Sequence, residues 1–409
     1  MNGRAAPRPA HHRADHDRLL RRLDWGPVGR APGRALDAII VPASRRAQRL
    51  GPLVDLASDC GTTLVVLASH DCVIEDVAAL VASRPSNARV VLAEVPLEAG
   101  HDPLRLATSA EGVRALSGDR SSNLSLKRNV GLLLARYRGW QKIMFVDDDI
   151  VGITRDQVAR VVHHLETNRF AGFKTLDYPD NSVVCHASRL AGRPQGIFVS
   201  GAALGVNTAG DRPLEVFPDV YNEDWFAFAD EARRTGVAHV GNIRQLEFNP
   251  FDDPLRAKVE EFGDLVAEGL YALFTDGGGL PRATARYWER CIDERRTLIA
   301  QIRRQLKGRE THQAVQAAKS LQEASHQLDH ITPEDCVRFL GVWQEDRARF
   351  ERWSRAAHGR GYDYRAAFDA LGLQRWQEAR FGVERMTVNY GPARRSSRNR
   401  TSVPTPSIC

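Results

Sequence analysis

The chain has 409 residues, with 43% hydrophobic and 26% charged residues and a formal net charge of +6. That length fits two or three domains or one large domain with additions, and the composition is that of an ordinary soluble protein, which argues against a fibrous or wholly disordered chain. Residues 1–34 carry eight Arg and three Asp and residues 390–409 carry four Arg and no acid, leaving the rest at −3. The basic character therefore lies in the two tails, which argues against a specific nucleic-acid surface on the globular part.

Taken in order, residues 1–34 read as a disordered basic tail with one helical turn around Asp17–Leu23. Structure begins at the apolar run Leu36–Val41. A helix follows over 47–60, then a strand over 62–68, a helix over 73–83 and a strand over 89–93. This β-α-β-α-β order implies a parallel sheet flanked by helices. Residues 96–122 read as a long loop. A helix capped by Ser125 runs to Arg138, with Val130, Leu133, Leu134 and Tyr137 on the face toward the sheet. Ile143–Val146 is a buried strand. A helix over 154–168 follows, then strand material at 197–199 and 202–206 interrupted by Ser200-Gly201. A helix capped by Asn222 extends to Arg234, and 237–240 is a short strand. Asp253-Pro254 starts a long helix, and 282–372 reads as helices broken at Gly308, Pro333 and Gly359-Arg360-Gly361. Gly277-Gly278-Gly279 reads as a hinge before that helical region. Trp288, Trp343, Trp353 and Trp376 read as core, and Glu260-Glu261 as a solvated helix face.

No apolar run is long enough to span a membrane, and no secretory signal is read at the N-terminus. The six cysteines are scattered without a CxxC pair, which points to a reducing, cytoplasmic setting. The divisions expected are a disordered tail (1–34), a catalytic α/β domain (35–250), a helical region (251–385) and a disordered tail (386–409).

The most informative feature is Asp147-Asp148-Asp149, placed directly after Ile143–Val146. Two carboxylates about 4 Å apart repel by roughly 4 kcal/mol at an effective dielectric near 20, so a counter-charge is required: a divalent cation, an Arg or Lys, or a helix N-terminus. On a continuing strand, Asp147 and Asp149 share a face and converge on one ion while Asp148 points away. Oxygen ligands suit Mn²⁺ or Mg²⁺. Ligands of open α/β sheets bind at the carboxyl ends of strands. Here three such ends carry Pro42-Ala43-Ser44-Arg45-Arg46, Ser69-His70-Asp71 and the three aspartates.

Lys127-Arg128-Asn129-Val130-Gly131, followed by the strand closing in Asp147-Asp148-Asp149, resembles the GT-A-fold glycosyltransferases, especially the family-2-like inverting group with its RNxG helix and DxD motif. Asn222-Glu223-Asp224-Trp225-Phe226 is similar to the ED motif of the same group. The resemblance covers roughly residues 35–245. It implies a mixed, mostly parallel GT-A sheet flanked by helices, followed here by a C-terminal helical region. It also implies transfer of a sugar from a nucleoside-diphosphate donor to an acceptor that the sequence leaves unknown. By the resemblance, Asp147 and Asp149 hold the metal, and Asp148 reaches donor sugar or ribose. Pro42, Ala43, Ser44 and Arg45 line the nucleotide, Asp71 contacts the base, and Arg128 sits near the donor. Asp224, or secondarily Glu223, is the general base of an inverting displacement. Trp225 is placed to stack on an acceptor ring. The first strand end departs from the usual Pro-Thr-Tyr-Asn. Two other readings stand beside this one, a sugar-1-phosphate nucleotidyltransferase and a non-catalytic nucleotide-sugar-binding scaffold. The helical region would shape the acceptor side or mediate self-association into a homo-oligomer.

Overall fold

The computed structural model describes residues 16–23, 25–26, 35–100, 102–118, 120–176, 182–194, 196–383 and 389–390. Most of the two tails expected to be disordered lies outside the described residues. Within the first of them, His16–Leu19 forms a 3₁₀ turn and Leu20–Arg22 a strand, β1. The helical turn anticipated there is thus partly a strand, stabilised by pairing that no local pattern reveals.

The apolar runs form the strands expected of them: β2 (Ala38–Ala43), β3 (Thr63–Ala68), β4 (Arg89–Glu94) and β5 (Lys142–Val146). Between them lie α1 (Gly51–Cys60), α2 (Ile74–Ser83), the short α3 (Glu111–Arg114) and α4 (Leu124–Arg138). Left-handed Gly61 and Gly139 end α1 and α4, their N–H groups turned back onto the last carbonyls. The hydroxyl of Ser125 does not cap α4. It lies inside the helix and donates to Pro218 O at 2.8 Å.

Beyond β5 come β6 (Ile150–Val151), α5 (Arg155–His164), β7 (Phe170–Thr175), α6 (Val183–Leu190) and β8 (Val199–Asn207). β7 and α6 were not anticipated. β8 runs through Ser200-Gly201 without a break. Its Gly205 lies against α5, where an added Cβ would stand 2.2 Å from Val161. The helix expected over 222–234 is two, α7 (Glu223–Ala227) and α8 (Ala229–Arg234), followed by β9 (Val237–Gln245).

The helical region comprises α9 (Pro254–Thr275), α10 (Ala285–Leu306), α11 (His312–Asp329), α12 (Pro333–Ala357) and α13 (Tyr364–Ala370). It returns to the sheet through β10 (Arg375–Ala379), antiparallel to β4, with β11 (Asn389–Tyr390) beside it. The strand order is β1-β9-β7-β8-β5-β2-β3-β4-β10-β11, with β6 paired to β9. β1, β2, β3, β4, β5, β7 and β9 run one way, and β8 and β10 oppose them. The architecture is the mixed, mostly parallel α/β sheet flanked by helices read from the sequence.

Alternation along the central strands divides the interior into two cores. Ile39, Val41, Leu64, Val66, Met144 and Val146 pack with α1, α2 and α5. Ala38, Ile40, Val65, Leu67, Ile143 and Phe145 face α4 and the C-terminal helices. Trp288, Trp343 and Trp376 belong to this second core, as expected, and Trp353 packs at its edge. Since the helical region shares a core with the sheet, residue 250 does not mark a break in packing. Gly277–Gly279 turns from α9 to α10 within the helical layer, with Gly278 N–H on Leu273 O at 2.8 Å.

Glu260 and Glu261 are 5% and 1% exposed, not solvated. α9 lies between α6 and α11, so its polar stripe is covered. Glu260 pairs with Arg256, and Glu261 with Arg295 at 2.8 Å.

Candidate active site

The carboxyl ends of β2, β3 and β5 lie side by side because these strands are parallel neighbours. β8 starts at the same end, its Ala203 opposite Val146. The acidic triplet, the first two strand ends and Ser200–Ala202 are thereby brought onto one rim.

Strand geometry stops at Val146, and Asp148 and Asp149 lie in a turn leading to β6. The parity expected of Asp147 and Asp149 therefore does not carry through. Asp148 is 4% exposed and turned toward the end of β2. It accepts the N–H groups of Ser44 and Arg45 at 2.7 and 2.9 Å, and the Arg45 guanidinium. Asp149 pairs with the same guanidinium at 2.9 Å and accepts from Gln245 Nε2 at 2.9 Å. Asp147 faces Arg128 instead, with Nη2 3.2 Å from both carboxylate oxygens. The counter-charges within the chain are thus arginines: Arg45 for Asp148 and Asp149, Arg128 for Asp147.

Arg128 also ties the triplet to the second acidic motif, its Nη1 pairing with Glu223. Burial alone would lower its proton affinity, but Asp147, Glu223 and Asp224 hold it above the ordinary value. Asp224 is 6% exposed and accepts the N–H groups of Gly201 and Trp225. Gly201 is needed where it is, since an added Cβ would stand 2.5 Å from Arg128 Nη1.

Every quoted residue of the α4 motif has a separate task. Lys127, fully buried, donates to Ala43 O at 2.6 Å and Ser44 Oγ at 2.7 Å, and burial pulls it down to about 8. Asn129 exchanges two hydrogen bonds with the Phe217 backbone, at 2.8 and 2.9 Å. Gly131 lets α4 settle on β5, since a Cβ there would lie 2.7 Å from Phe145.

Asp71 is exposed at the rim, its N–H on Ser44 O at 3.1 Å. Pro42 and Ala43 form the end of β2. Trp225 does not face the rim. Its ring is 8% exposed, 4.4 Å from Tyr271 and 5.4 Å from His16, so the expected stacking on an acceptor is replaced by core packing. All of α7 is buried, and Trp225 turns into the core. His239 bonds Gly241 O at 3.0 Å and packs under Trp25, a structural role.

Gln245 was not among the residues read from the sequence. It arrives from the end of β9, and only the pairing of Ile150 with Gln245 places it beside Asp149. Its Oε1 is buried without a hydrogen-bond partner among the described residues. The group as a whole has five carboxylates (Asp147, Asp148, Asp149, Glu223, Asp224) and three cations (Arg45, Lys127, Arg128). The excess of two negative charges, the oxygen donors and the orphaned amide oxygen are the chemistry a hard divalent cation takes, with each carboxylate of the triplet turned here to its own partner.

No family model and no curated protein matches the chain. Among solved structures it is similar to the glucosyl-3-phosphoglycerate synthase of Mycobacterium tuberculosis, in complex with Mn²⁺, UDP-glucose and phosphoglyceric acid. The identity is 15%, covering 58% of this chain and 80% of that one, with a TM-score of 0.37. It is also similar to a mannosyltransferase of Pyrobaculum calidifontis in complex with GDP-mannose and Mn²⁺, 15% identical over 87% of this chain and 91% of that one, with a TM-score of 0.37. At that identity and TM-score neither likeness bears on what this chain does.

Among the described residues no helix is long and apolar enough to cross a membrane. None of Cys60, Cys72, Cys185, Cys291 and Cys336 is in a disulfide.

Proposed function

We propose that the chain is a metal-dependent glycosyltransferase that moves a sugar from a nucleoside-diphosphate sugar to an acceptor hydroxyl, with inversion. The observation that carries this reading is Arg128, which joins Asp147 at the end of β5 to Glu223 at the head of α7. One buried side chain thereby holds a cation-seeking acidic rim and a second carboxylate pair within its own reach.

In this reading Asp147 and Asp149 hold Mn²⁺ or Mg²⁺, and Asp148 fixes the β2 end against the triplet. The cation, when bound, stabilises the negative charge growing on the leaving diphosphate. Pro42, Ala43, Ser44 and Arg45 border the nucleotide and Asp71 its base. Arg45 is half exposed and free to turn from Asp149 toward phosphate, for which a guanidinium fork is suited. The acceptor oxygen attacks the anomeric carbon as the bond to diphosphate breaks, the bonding electrons leaving with the phosphate oxygen. The acceptor proton passes to a carboxylate. Asp224 takes this role in the reading, because Glu223 is held by Arg128.

The test is thermal stability with a panel of nucleotides and nucleotide sugars, with and without Mn²⁺, on wild type and Asp149→Asn. A donor at about 100 Kd should add roughly 2.7 kcal/mol. A Mn²⁺-dependent shift with one nucleotide, lost in Asp149→Asn, supports the reading. No shift with any of them ends it.

A further inference from the structure

At the opposite end of the sheet, beside the amino ends of β1, β7 and β9, lies a cavity of about 550 Å³. Its charged lining is Arg21, Arg169, Arg212 and Arg234 with Glu215, Asp230 and Glu231. The six residues of β7 separate it from the acidic rim by about 20 Å at roughly 3.3 Å per residue.

The cations outweigh the acids. Glu215 lies 3.5 Å from Arg169 and 3.1 Å from Arg347, and Arg347 also takes Asp230, at 2.7 Å. These two acids are used by two arginines. Arg21 meets a neutral partner, the Asn168 side-chain carbonyl, at 3.1 Å. Among the described residues no carboxylate lies within ion-pair distance of Arg212 or Arg234. The remaining acid, Glu231, is raised by burial to about 7, so its carboxyl is only partly ionised near neutral pH. Burial lowers the proton affinity of Arg169, and Arg212 and Arg347 lower it further against the pull of Glu215 and Glu231. The neighbouring Arg136 is brought to about 10, by burial and then by Arg169, against the pull of Asp211. Arginines that lower one another's proton affinity, Arg212 and Arg347 acting on Arg169 and Arg169 on Arg136, mark a region where cations crowd together.

We infer that this cavity binds a phosphate-bearing small molecule at a site separate from the acidic rim. Its volume is that of a small-ligand pocket. Guanidinium forks from β1, from the segment before β7, from the loop after β8 and from α8 converge on it, and their planar donors match phosphate oxygens. The inference does not depend on the glycosyltransferase reading.

The experiment is thermal denaturation of the full chain against inorganic phosphate, pyrophosphate and a hexose phosphate, without added metal. It uses wild type, Asp149→Asn, and the double variant Arg212→Ser with Arg234→Ser. Both arginines are exposed, so the double variant retains the fold. A saturable rise of several degrees is expected in wild type and Asp149→Asn and is expected to disappear in the double variant. A rise with the hexose phosphate alone identifies a phosphoester ligand, and one with all three anions a site for free phosphate. No rise with any anion, a rise that survives the double substitution, or a rise abolished by Asp149→Asn would each overturn the inference, the last by placing the anion at the acidic rim.

Discussion

Asn222, the left-handed residue (φ 61°) that opens α7, donates from Nδ2 to Asp264 on α9 at 3.2 Å. Asp264 is held in turn by Arg295 of α10 at 2.6 Å and by Ser182. Tyr271, two turns further along α9, donates to Trp225 O at 2.7 Å. The C-terminal helices thus support the backbone that presents Glu223 and Asp224.

Removing the cation from this buried group should be costly. Arg295→Met leaves Glu261 and Asp264 buried without their counter-charge, a class of change that costs about 3–5 kcal/mol. Urea unfolding of the variant would measure it. A loss under about 1 kcal/mol would show that the network is incidental.

Arg128 should resist replacement by lysine. A single ammonium cannot bridge Asp147 and Glu223 as a guanidinium does. Turnover of Arg128→Lys is expected to fall about 10²–10³-fold, the scale of losing a preorganised charge contact. Gly201→Ala should reproduce this defect, because the new Cβ occupies the place of Arg128 Nη1. Steady-state kinetics on both variants decides, and a Gly201→Ala enzyme with wild-type kcat would refute the account.

Arg45 competes with the cation for Asp149. Arg45→Ala is expected to tighten Mn²⁺ binding in the absence of nucleotide about three- to fivefold, the modest range of a half-exposed pair. The same change should weaken nucleotide binding in the presence of Mn²⁺. Calorimetric titration of Mn²⁺, then of nucleoside diphosphate, separates the two effects.

Glu231 imposes a sign on the pH dependence of stability. Its folded-state affinity for a proton is raised, from 4.5 to about 7, mainly by burial. Between these values the folded chain holds more protons than the unfolded one, so this group's contribution is complete below pH 4.5 and lost as pH rises through 7. Glu231→Gln should remove that decline. An unchanged stability profile in Glu231→Gln, followed by denaturant midpoints from pH 5 to 8, would count against it.

The strand β10 covers an apolar edge, with Trp376 opposite Ala93 and Gln377 opposite Leu92. A chain ending at residue 372 leaves the outer edge of β4 unpaired. Such an edge templates association, so the truncated protein is expected to elute as aggregates in size-exclusion chromatography with light scattering.

The central strands and the sites at their ends were legible because the information is local. Four apolar residues before three aspartates, and an Arg-Asn-x-Gly segment on a helix, are patterns within a few residues of one another. β7 was missed because Phe170–Thr175 contains alanine, glycine and lysine in place of a continuous apolar run. β1 and β10 were missed because their order comes from partners more than 200 residues away. Trp225 and Glu260-Glu261 were misplaced for a related reason, since exposure is set by what packs over a helix.

The sequence by itself determined the parallel α/β core, the acidic strand end and the residues near it, through apolar periodicity and strand-end chemistry. Only the tertiary structure decided which charge meets which. Arg45 takes Asp148 and Asp149, Arg128 takes Asp147 and Glu223, and Gln245 reaches the group from β9. Ion pairing depends on distances of a few ångströms between elements far apart in the chain, and those distances exist only once the sheet order is fixed.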